Sequence, residues 1–188
     1  ITNEIPRKAE LQRFSIIPYY VADPKKAPAG PNANATREKV ATSPAWKQKF
    51  EERRCLVPVS GFYDWLHLDK KNKVPYKAYV PGEPMFGLAG IWDTWQNKAT
   101  GEVIRGFAII TSPPNELWAK IHDRMPVILP KEVHETWLSR DTSPSEAHSL
   151  LKIYPAEKMA YREYSKAMSL NTNKNEAEMV SVGEEIRM

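Results

Sequence analysis

Short apolar and aromatic runs separated by turn signals dominate the chain between residues 55 and 111. The runs are "CLVPVSGFYDWLHL", "VPYKAYV", "MFGLAGIWDTW" and "VIRGFAIIT", and the breaks between them are "DKKNK", "PGEP" and "QNKATGE". Such short breaks suit hairpins between antiparallel neighbours, because a parallel crossover needs a longer connection. The sequence therefore predicts mainly antiparallel β-structure, and successive hairpins would tend to curl it towards a barrel.

Helical segments flank this β region on both sides. Residues 43–54 are predicted to form a short helix, since Ser43 can cap it and Pro44 suits its first turn. Asn115 can cap a brief helix over "NELWAKIH", and "KEVHETWLS" and "SPSEAHSLLK" predict two more helices, the second with a capping-box arrangement. The predicted fold class is α+β, with mainly antiparallel, barrel-like β-structure and peripheral helices.

The length and composition suit a single domain over residues 1–188. Hydrophobic residues make up 41% of the chain and charged residues 27%, so the chain can bury a core. The stretch over about residues 170–188 is a polar tail, which is either disordered or packed through Met179 and Val180. The chain begins with Ile1 and not with methionine, which leads us to expect further residues before it.

Composition and spacing disfavour several classes of function. The single cysteine excludes an internal disulfide framework and a thiolate-rich zinc site. HxH, HExxH, GxGxxG and phosphate-loop motifs are all missing, so we predict neither a metal nor a cofactor. No apolar run reaches the roughly 18 residues that a membrane span needs, and the cytoplasm is the expected location. The net charge of +4 fits a nucleic-acid surface and equally an ordinary basic protein.

Asp64 stands among three aromatic residues in a predicted strand. Strands disfavour aspartate, so this carboxylate is either hydrogen-bonded for structure or placed there for chemistry. Strand alternation puts Phe62 and Asp64 on one face and Tyr63 and Trp65 on the other. If the first face lines a cleft, Asp64 could move protons. The residue pattern alone leaves both readings open.

His122 differs from the other three histidines, for which solvated or core-edge positions are the simpler reading. It ends "NELWAKIH" and directly precedes the strand-like "RMPVIL". A side chain at such a junction can be aimed at a cleft while two elements hold its backbone. Alternatively, His122 interacts with a helix C-terminus or pairs with Asp123.

Cys55 alternates with Val57 and Val59, which predicts a small hydrophobic side chain facing the core. A hydrolase that uses Cys55, His122 and Asp64 is an alternative, because such triads are recognised by geometry and not by order in the chain.

Several segments together resemble one family, the SOS response-associated peptidase (SRAP) family, which includes sensors of abasic sites in single-stranded DNA. "RRCLVPVSGFYDW" is similar to its signature RCLVPxxGFYEW, and "FGLAGIWD" to its FxxAGLW strand. "FAIITSPPNELWAKIHDRMPVIL" resembles its segment ending in HxRMPVIL, "FSIIPYYVADPK" resembles WGLIPxWxxDP, and "NATREKV" resembles NARxETV. These matches run in family order from about Phe14 to Leu129.

The resemblance implies roles for three residues. Asp64 stands where the family usually has a catalytic Glu, His122 matches the catalytic His, and Asn34 matches an active-site Asn. Members remove their initiator Met and use the exposed N-terminal Cys as a nucleophile. Its amine condenses with the aldehyde of an abasic site and its thiol closes a thiazolidine, which gives a stable DNA–protein cross-link. The activity implied is therefore that of an autopeptidase with lyase-like DNA cross-linking.

The implied partner is single-stranded DNA with abasic sites, bound by a monomer without metal or membrane. Arg124 and Arg37 are candidate phosphate contacts, since the bound strand needs positive charge. Bases need flat faces, for which the aromatic candidates are Tyr19, Tyr20, Phe62 and Trp65.

The chain also departs from the family pattern. Asp64 is one methylene shorter than Glu, Ser15 replaces a Gly, and Thr36 replaces the Arg of NAR. Cys55 lies inside the chain and has no free α-amine, so it cannot replace the N-terminal Cys. Either the nucleophile lies upstream of Ile1, which we favour, or the chain is a non-catalytic single-stranded DNA-binding module of the same fold.

Overall fold

The structure is a computed structural model that describes residues 1–27, 30–166 and 180–188. Its strands are β1 (Arg13–Phe14), β2 (Asn34–Thr36), β3 (Arg54–Val59), β4 (Phe62–His67), β5 (Lys73–Tyr79), β6 (Phe86–Gln96), β7 (Val103–Ser112), β8 (Met125–Pro126), β9 (Ile128–Leu129) and β10 (Ala160–Glu163). Its α-helices are α1 (Arg37–Val40), α2 (Lys47–Glu52), α3 (His134–Leu138) and α4 (Pro144–Ser149). Short 3₁₀ turns cover Pro24–Lys26, Trp118–Lys120, Lys131–Val133 and Ala156–Lys158. Few helices and many strands confirm the α+β class.

The chain divides into two compact units. The first comprises Ile1–Pro58, Gly87–Ser112 and Pro126–Lys152, and the second comprises Val59–Phe86, Pro113–Met125 and Ile153–Met188. That residues 1–188 form one domain therefore stays a prediction. No helix among the described residues is long and apolar enough to span a bilayer.

The larger sheet supplies the core of the first unit. Its strands follow the order β1-β7-β6-β3, with β2 and β8 also pairing with β7, and β9 with β6. The antiparallel register of β6 and β7 sets Ile91 opposite Ala108, so alternate residues of both strands share one face. That face is buried with Phe50 of α2 and Trp137 of α3, whose ring centroids lie 6.0 Å apart.

The larger sheet is open, which corrects the expectation of a barrel. Its strand order has two ends, at β1 and β3, among the described residues. The short strands β1 and β2 pair with β7 in parallel, so a hairpin partner does not continue the sheet there. The β4–β5 hairpin joins a separate three-stranded sheet. Closure into a barrel would require the two end strands to pair with each other, and among the described residues β1 and β3 do not pair.

The helix predicted over residues 43–54 is shorter than expected, because α2 begins only at Lys47. The N–H groups of Trp46 and Lys47 both donate to the carbonyl of Ser43, which makes the preceding segment a turn. No side chain caps α2, whereas Ser143 Oγ accepts the Glu146 N–H at 3.2 Å and confirms the predicted cap of α4.

The second unit contains an antiparallel sheet of order β10-β5-β4. Strands β4 and β5 form a hairpin whose turn is held by Asp69 Oδ1, which accepts the N–H groups of Lys71 and Asn72. The register sets Phe62 opposite Ala78 and Asp64 opposite Tyr76. Phe62 and Asp64 therefore share one face of the sheet, as the alternation in the sequence predicts.

The described end of the predicted polar tail pairs with β10. Ser181 and Ile186 form isolated antiparallel bridges with Tyr164 and Tyr161. Glu185 accepts a hydrogen bond from the hydroxyl of Tyr79. The segment 180–188 therefore packs on the sheet of the second unit, whereas residues 170–179, including Met179, lie outside the described residues.

Candidate active site

Strand β4 presents Asp64 at the edge of the three-stranded sheet. Its Oδ1 accepts the N–H of Trp65 at 2.9 Å, which folds the side chain back along its own strand. This leaves Oδ2 directed away from the strand. The side chain is 34% exposed, so the carboxylate is neither buried nor fully solvated. A group in this position can exchange protons with a bound ligand.

His122 lies beside Asp64. It follows the 3₁₀ turn Trp118–Lys120, and its N–H donates to the carbonyl of Trp118 at 3.1 Å. Its Nδ1 lies 3.8 Å from Asp64 Oδ2, and its side chain is also 34% exposed. The structure thus brings together the two residues for which the sequence left a structural reading open. Their catalytic roles stay predictions.

The hydrogen bonds of His122 define its neutral tautomer. The backbone N–H of Arg124 donates to His122 Nδ1 at 3.0 Å. Because a backbone N–H can only donate, Nδ1 must carry a lone pair, and we assign the proton of the neutral ring to Nε2. Asp123 Oδ1 also lies 3.0 Å from Nδ1, and the Asp123 side chain is 90% exposed. In this tautomer Nε2–H is the group that can donate to a ligand.

Arg124 places its backbone in this site. Besides the N–H that reaches His122, its carbonyl accepts the indole N–H of Trp118 at 3.2 Å. Arg124 is half-buried and follows Asp123, whose Oδ1 also lies near His122 Nδ1. A guanidinium at this position can attract the phosphates of a strand whose sugar lies at His122. Its role as a DNA contact stays a prediction.

Asn34 and Arg37 belong to the first unit. Asn34 is exposed in β2, between the buried residues Ala33 and Ala35, so its side chain lies on the opposite face of the strand. Arg37 is half-buried, and its guanidinium donates to the carbonyl of Leu151 at 3.1 Å. This bond gives Arg37 a structural role in the first unit. Both functional assignments stay predictions.

The four aromatic candidates have different surroundings. Tyr19 and Tyr20 are 93% and 74% exposed, and their rings meet edge to face at 5.6 Å. Phe62 packs against Trp118 with a centroid distance of 5.0 Å. Trp65 is half-buried. Tyr19 and Tyr20 therefore offer the most accessible flat surface of the four for a base.

Cys55 is buried in β3 of the first unit. Burial raises the pKa of its thiol to about 12, so the reactive thiolate is scarce at neutral pH. This environment supports the prediction that Cys55 is a core residue. It gives no support to the alternative of a Cys55-dependent hydrolase.

The structure describes no group of three or more His, Cys, Asp or Glu side chains that could hold a metal ion. The imidazole of His122 and the carboxylate of Asp64 are groups that can move protons to and from a bound ligand.

Comparisons with known proteins identify the family. The model of a family described as SOS response associated peptidase (SRAP) matches residues 2–170 of the chain. The chain belongs to the SRAP family. It is 35% identical over 164 residues to "Abasic site processing protein YoqW" of Bacillus subtilis, which covers 87% of this chain and 71% of that protein. It is 27% identical over 187 residues to "Abasic site processing protein HMCES" of Xenopus tropicalis, covering 89% of this chain and 55% of that protein.

A solved structure supports the fold of this SRAP chain. A crystal structure of a protein from Bacteroides thetaiotaomicron matches with a TM-score of 0.74 and 35% sequence identity. The match covers 83% of this chain and 69% of the other. The resemblance drawn from sequence motifs is therefore confirmed by sequence and by fold.

Two departures from the SRAP pattern have visible consequences. Ser15, at the family Gly, has a φ of 95° and is fully buried, and its hydroxyl has no hydrogen-bond partner among the described residues. Thr36, at the family Arg, is half-buried in β2 opposite Thr111. The first departure leaves local strain, and the second removes one positive charge from this SRAP chain.

Trp118 is the residue of this site that sequence reasoning missed. It is fully buried, its ring packs on Phe62, and its indole N–H donates to the carbonyl of Arg124. Its own carbonyl accepts the N–H of His122. The available signal was its i,i+4 spacing from His122 in "NELWAKIH", which places the two residues one helical turn apart.

Proposed function

We propose that this protein binds single-stranded DNA and captures abasic sites as a covalent thiazolidine, with Asp64 and His122 as the proton-transfer pair. The single observation that carries the proposal is the 3.8 Å separation of Asp64 Oδ2 and His122 Nδ1 in a chain of the SRAP family. The relatives named abasic site processing proteins support an abasic site as the substrate.

His122 acts first, when the closed sugar of the abasic site opens. The ring oxygen of the hemiacetal must gain a proton as its bond to C1′ breaks, and the C1′ hydroxyl must lose one to become the aldehyde. His122 Nε2–H donates a hydrogen bond to the ring oxygen, because Nδ1 is held by the Arg124 N–H, and so stabilises the negative charge that develops there. The first proton itself comes from a water molecule, since a neutral imidazole is too weak an acid to give up its own. A base, Asp64 or water, accepts the second proton.

Asp64 acts in the condensation. The α-amine of an N-terminal Cys attacks the aldehyde carbon, and the resulting carbinolamine loses water to give an imine. Asp64 takes a proton from the attacking nitrogen and returns it to the departing hydroxyl. The Cys thiol then adds to the imine carbon, its proton passes to the nitrogen, and the thiazolidine is closed. Amine, thiol and aldehyde thus give one ring and one water, without a metal or a cofactor.

The nucleophile of this reaction is an N-terminal Cys with a free α-amine. Cys55 does not meet this need, since its nitrogen is part of the peptide chain and its thiol is buried. We propose that the nucleophile lies upstream of Ile1 and is exposed by autoproteolytic removal of the initiator Met, as the family resemblance implies.

Several side chains are candidates for contact with the bound DNA strand. Arg124, two residues after His122, would contact a phosphate beside the abasic site. The exposed rings of Tyr19 and Tyr20 would stack on bases. Arg37 is a weaker candidate, because its guanidinium already donates to Leu151. We expect the protein to act as a monomer in the cytoplasm.

The test uses protein expressed from the complete reading frame. It is incubated with a single-stranded oligonucleotide carrying one abasic site, and with an undamaged oligonucleotide, and both are run on a denaturing gel. A shifted band only with damaged DNA is the expected result. Retained binding to both oligonucleotides without a shifted band would replace the proposal with a non-catalytic DNA-binding module.

A further inference from the structure

Trp118 is a buried residue of the second unit that contacts several residues around His122. Its carbonyl accepts the N–H of His122 at 3.1 Å, and its indole N–H donates to the carbonyl of Arg124 at 3.2 Å. Its ring packs edge to face on Phe62, which shares a sheet face with Asp64. One fully buried residue therefore contacts the backbone of His122 through its carbonyl, and the backbone of Arg124 and the strand that carries Asp64 through its side chain.

Trp118 is itself held in place. Asn115 Oδ1 accepts its backbone N–H at 2.9 Å, and Asn115 Nδ2 donates to the carbonyl of Tyr154 at 2.9 Å. The Trp118 ring also meets the ring of Tyr161 at 6.1 Å. Both Asn115 and Tyr161 are buried, so the Trp118 side chain has little freedom to move.

We propose that Trp118 is a positioning residue that fixes the tautomer of His122. Its indole N–H holds Arg124 so that the Arg124 N–H reaches His122 Nδ1 and the ring proton stays on Nε2. The assignment of the tautomer stands on this geometry. Its consequence for the rate of DNA capture rests on the proposed function.

Two carboxylates favour the other tautomer of His122, in which the ring proton lies on Nδ1. Asp123 Oδ1 lies 3.0 Å and Asp64 Oδ2 3.8 Å from His122 Nδ1. An anionic oxygen accepts a hydrogen bond, so both carboxylates favour a proton on Nδ1. The Arg124 N–H, which needs a lone pair on Nδ1, is the group that favours the Nε2–H tautomer. If Arg124 moves away, the proton transfers to Nδ1, and Nε2 can no longer donate to the sugar.

Trp118→Phe is the direct test, since it keeps an aromatic ring against Phe62 and Tyr161 and deletes the indole N–H. Trp137→Phe is the matched control. Trp137 is equally buried, and its indole N–H donates to the carbonyl of Cys55 in the first unit. Nitrogen-15 NMR of the histidine side chains reports which ring nitrogen carries the proton.

We expect His122 to be in the Nε2–H form in the unaltered protein and in Trp137→Phe, and to acquire Nδ1–H character in Trp118→Phe. Adding Asp123→Ala to Trp118→Phe should return the ring towards Nε2–H, because the exposed competing acceptor is gone. This rescue separates positioning from a general loss of folding. An unchanged His122 tautomer in folded Trp118→Phe, or the same change in Trp137→Phe, would overturn the proposal.

The second readout is the capture reaction in protein from the complete reading frame. Trp118→Phe should lower the rate constant of cross-linking at saturating DNA roughly tenfold, and leave affinity for undamaged DNA unchanged. A fall in affinity with an unchanged rate constant would contradict the proposal. If the unaltered protein forms no cross-link, the proposed function fails, while the NMR comparison still decides the role of Trp118.

Discussion

Asp64 Oδ2 lies 3.8 Å from His122 Nδ1, a separation just too long for a hydrogen bond. Asp64 reaches His122 from a strand edge, with its other oxygen held by the Trp65 N–H. The family usually has the longer Glu at this position. The geometry therefore shows a carboxylate that lies beside the imidazole and does not hold it by a direct hydrogen bond.

Asp64→Glu should raise the rate of abasic-site capture. The extra methylene extends the carboxylate by roughly 1.5 Å, which is enough to bring it within hydrogen-bonding distance of His122 or of the bound amine. Asp64→Asn should lower the rate, because an amide cannot take up the proton. Single-turnover cross-linking measures both, with Asp141→Glu on the exposed surface of the first unit as the control. A slower Asp64→Glu would show that the site is built around the shorter acid.

The exposed rings of Tyr19 and Tyr20 should contribute to DNA affinity. Stacking of a base on an aromatic ring contributes about 1–3 kcal/mol, so Tyr19→Ala combined with Tyr20→Ala should weaken binding at least several-fold. The free energy of unfolding of this variant should match that of the unaltered protein, since both rings are largely solvated. Fluorescence anisotropy with undamaged single-stranded DNA is the measurement. Leu11→Ala, another exposed apolar side chain, is the control and should bind as before.

Ser15→Gly should stabilise the first unit. Ser15 has a φ of 95°, where glycine is favoured, and its fully buried hydroxyl has no partner among the described residues. Relief of both costs should exceed the extra backbone entropy of glycine in the unfolded chain, for a net gain of about 1 kcal/mol. Urea denaturation measures it. A lower midpoint would mean that Ser15 makes a stabilising contact that its geometry does not show.

The second unit should lose stability in alkaline solution. Burial raises the pKa of Tyr63 to about 12, with Tyr164 as a further cause. Below pH 10 the phenol is neutral in both folded and unfolded chains. Between about pH 10 and 12 it ionises only in the unfolded chain, so the free energy of unfolding falls as pH rises.

Tyr63→Phe removes this ionisation. Its stability should therefore fall less steeply between about pH 10 and 12 than that of the unaltered protein. Urea titrations at several pH values measure the slope, and absorbance of the phenolate reports the ionisation directly. Equal slopes in the two proteins would show that Tyr63 has the same pKa folded and unfolded.

Local pattern was enough to predict much of this fold. The alternation of Phe62, Tyr63, Asp64 and Trp65 predicted which residues share a face, because strand geometry has a period of two. The cap of α4 was also predictable, since Ser143 and Glu146 have the required spacing. The start of α2 was not, because the backbone of Ser43 forms a turn that its side chain does not reveal.

Local sequence pattern could not predict which distant segments of the chain pair with one another. Strands β1 and β2 are two and three residues long and pair with β7 in parallel, so they have no periodicity to detect. The pairing of Asp64 with His122 came from the family resemblance, since no spacing rule relates them. Trp118 was missed because a Trp in a short apolar segment is typical of an ordinary core residue.

The central claim is that Asp64 and His122 act as one proton-transfer unit. The most direct measurement is a double-mutant cycle of single-turnover cross-linking rates, with Asp64→Asn, His122→Gln and the double variant made in protein from the complete reading frame. The account predicts that each single variant slows capture by at least tenfold and that the double variant is little slower than the worse single one. Rates unchanged in both single variants, or losses that simply multiply, would contradict it.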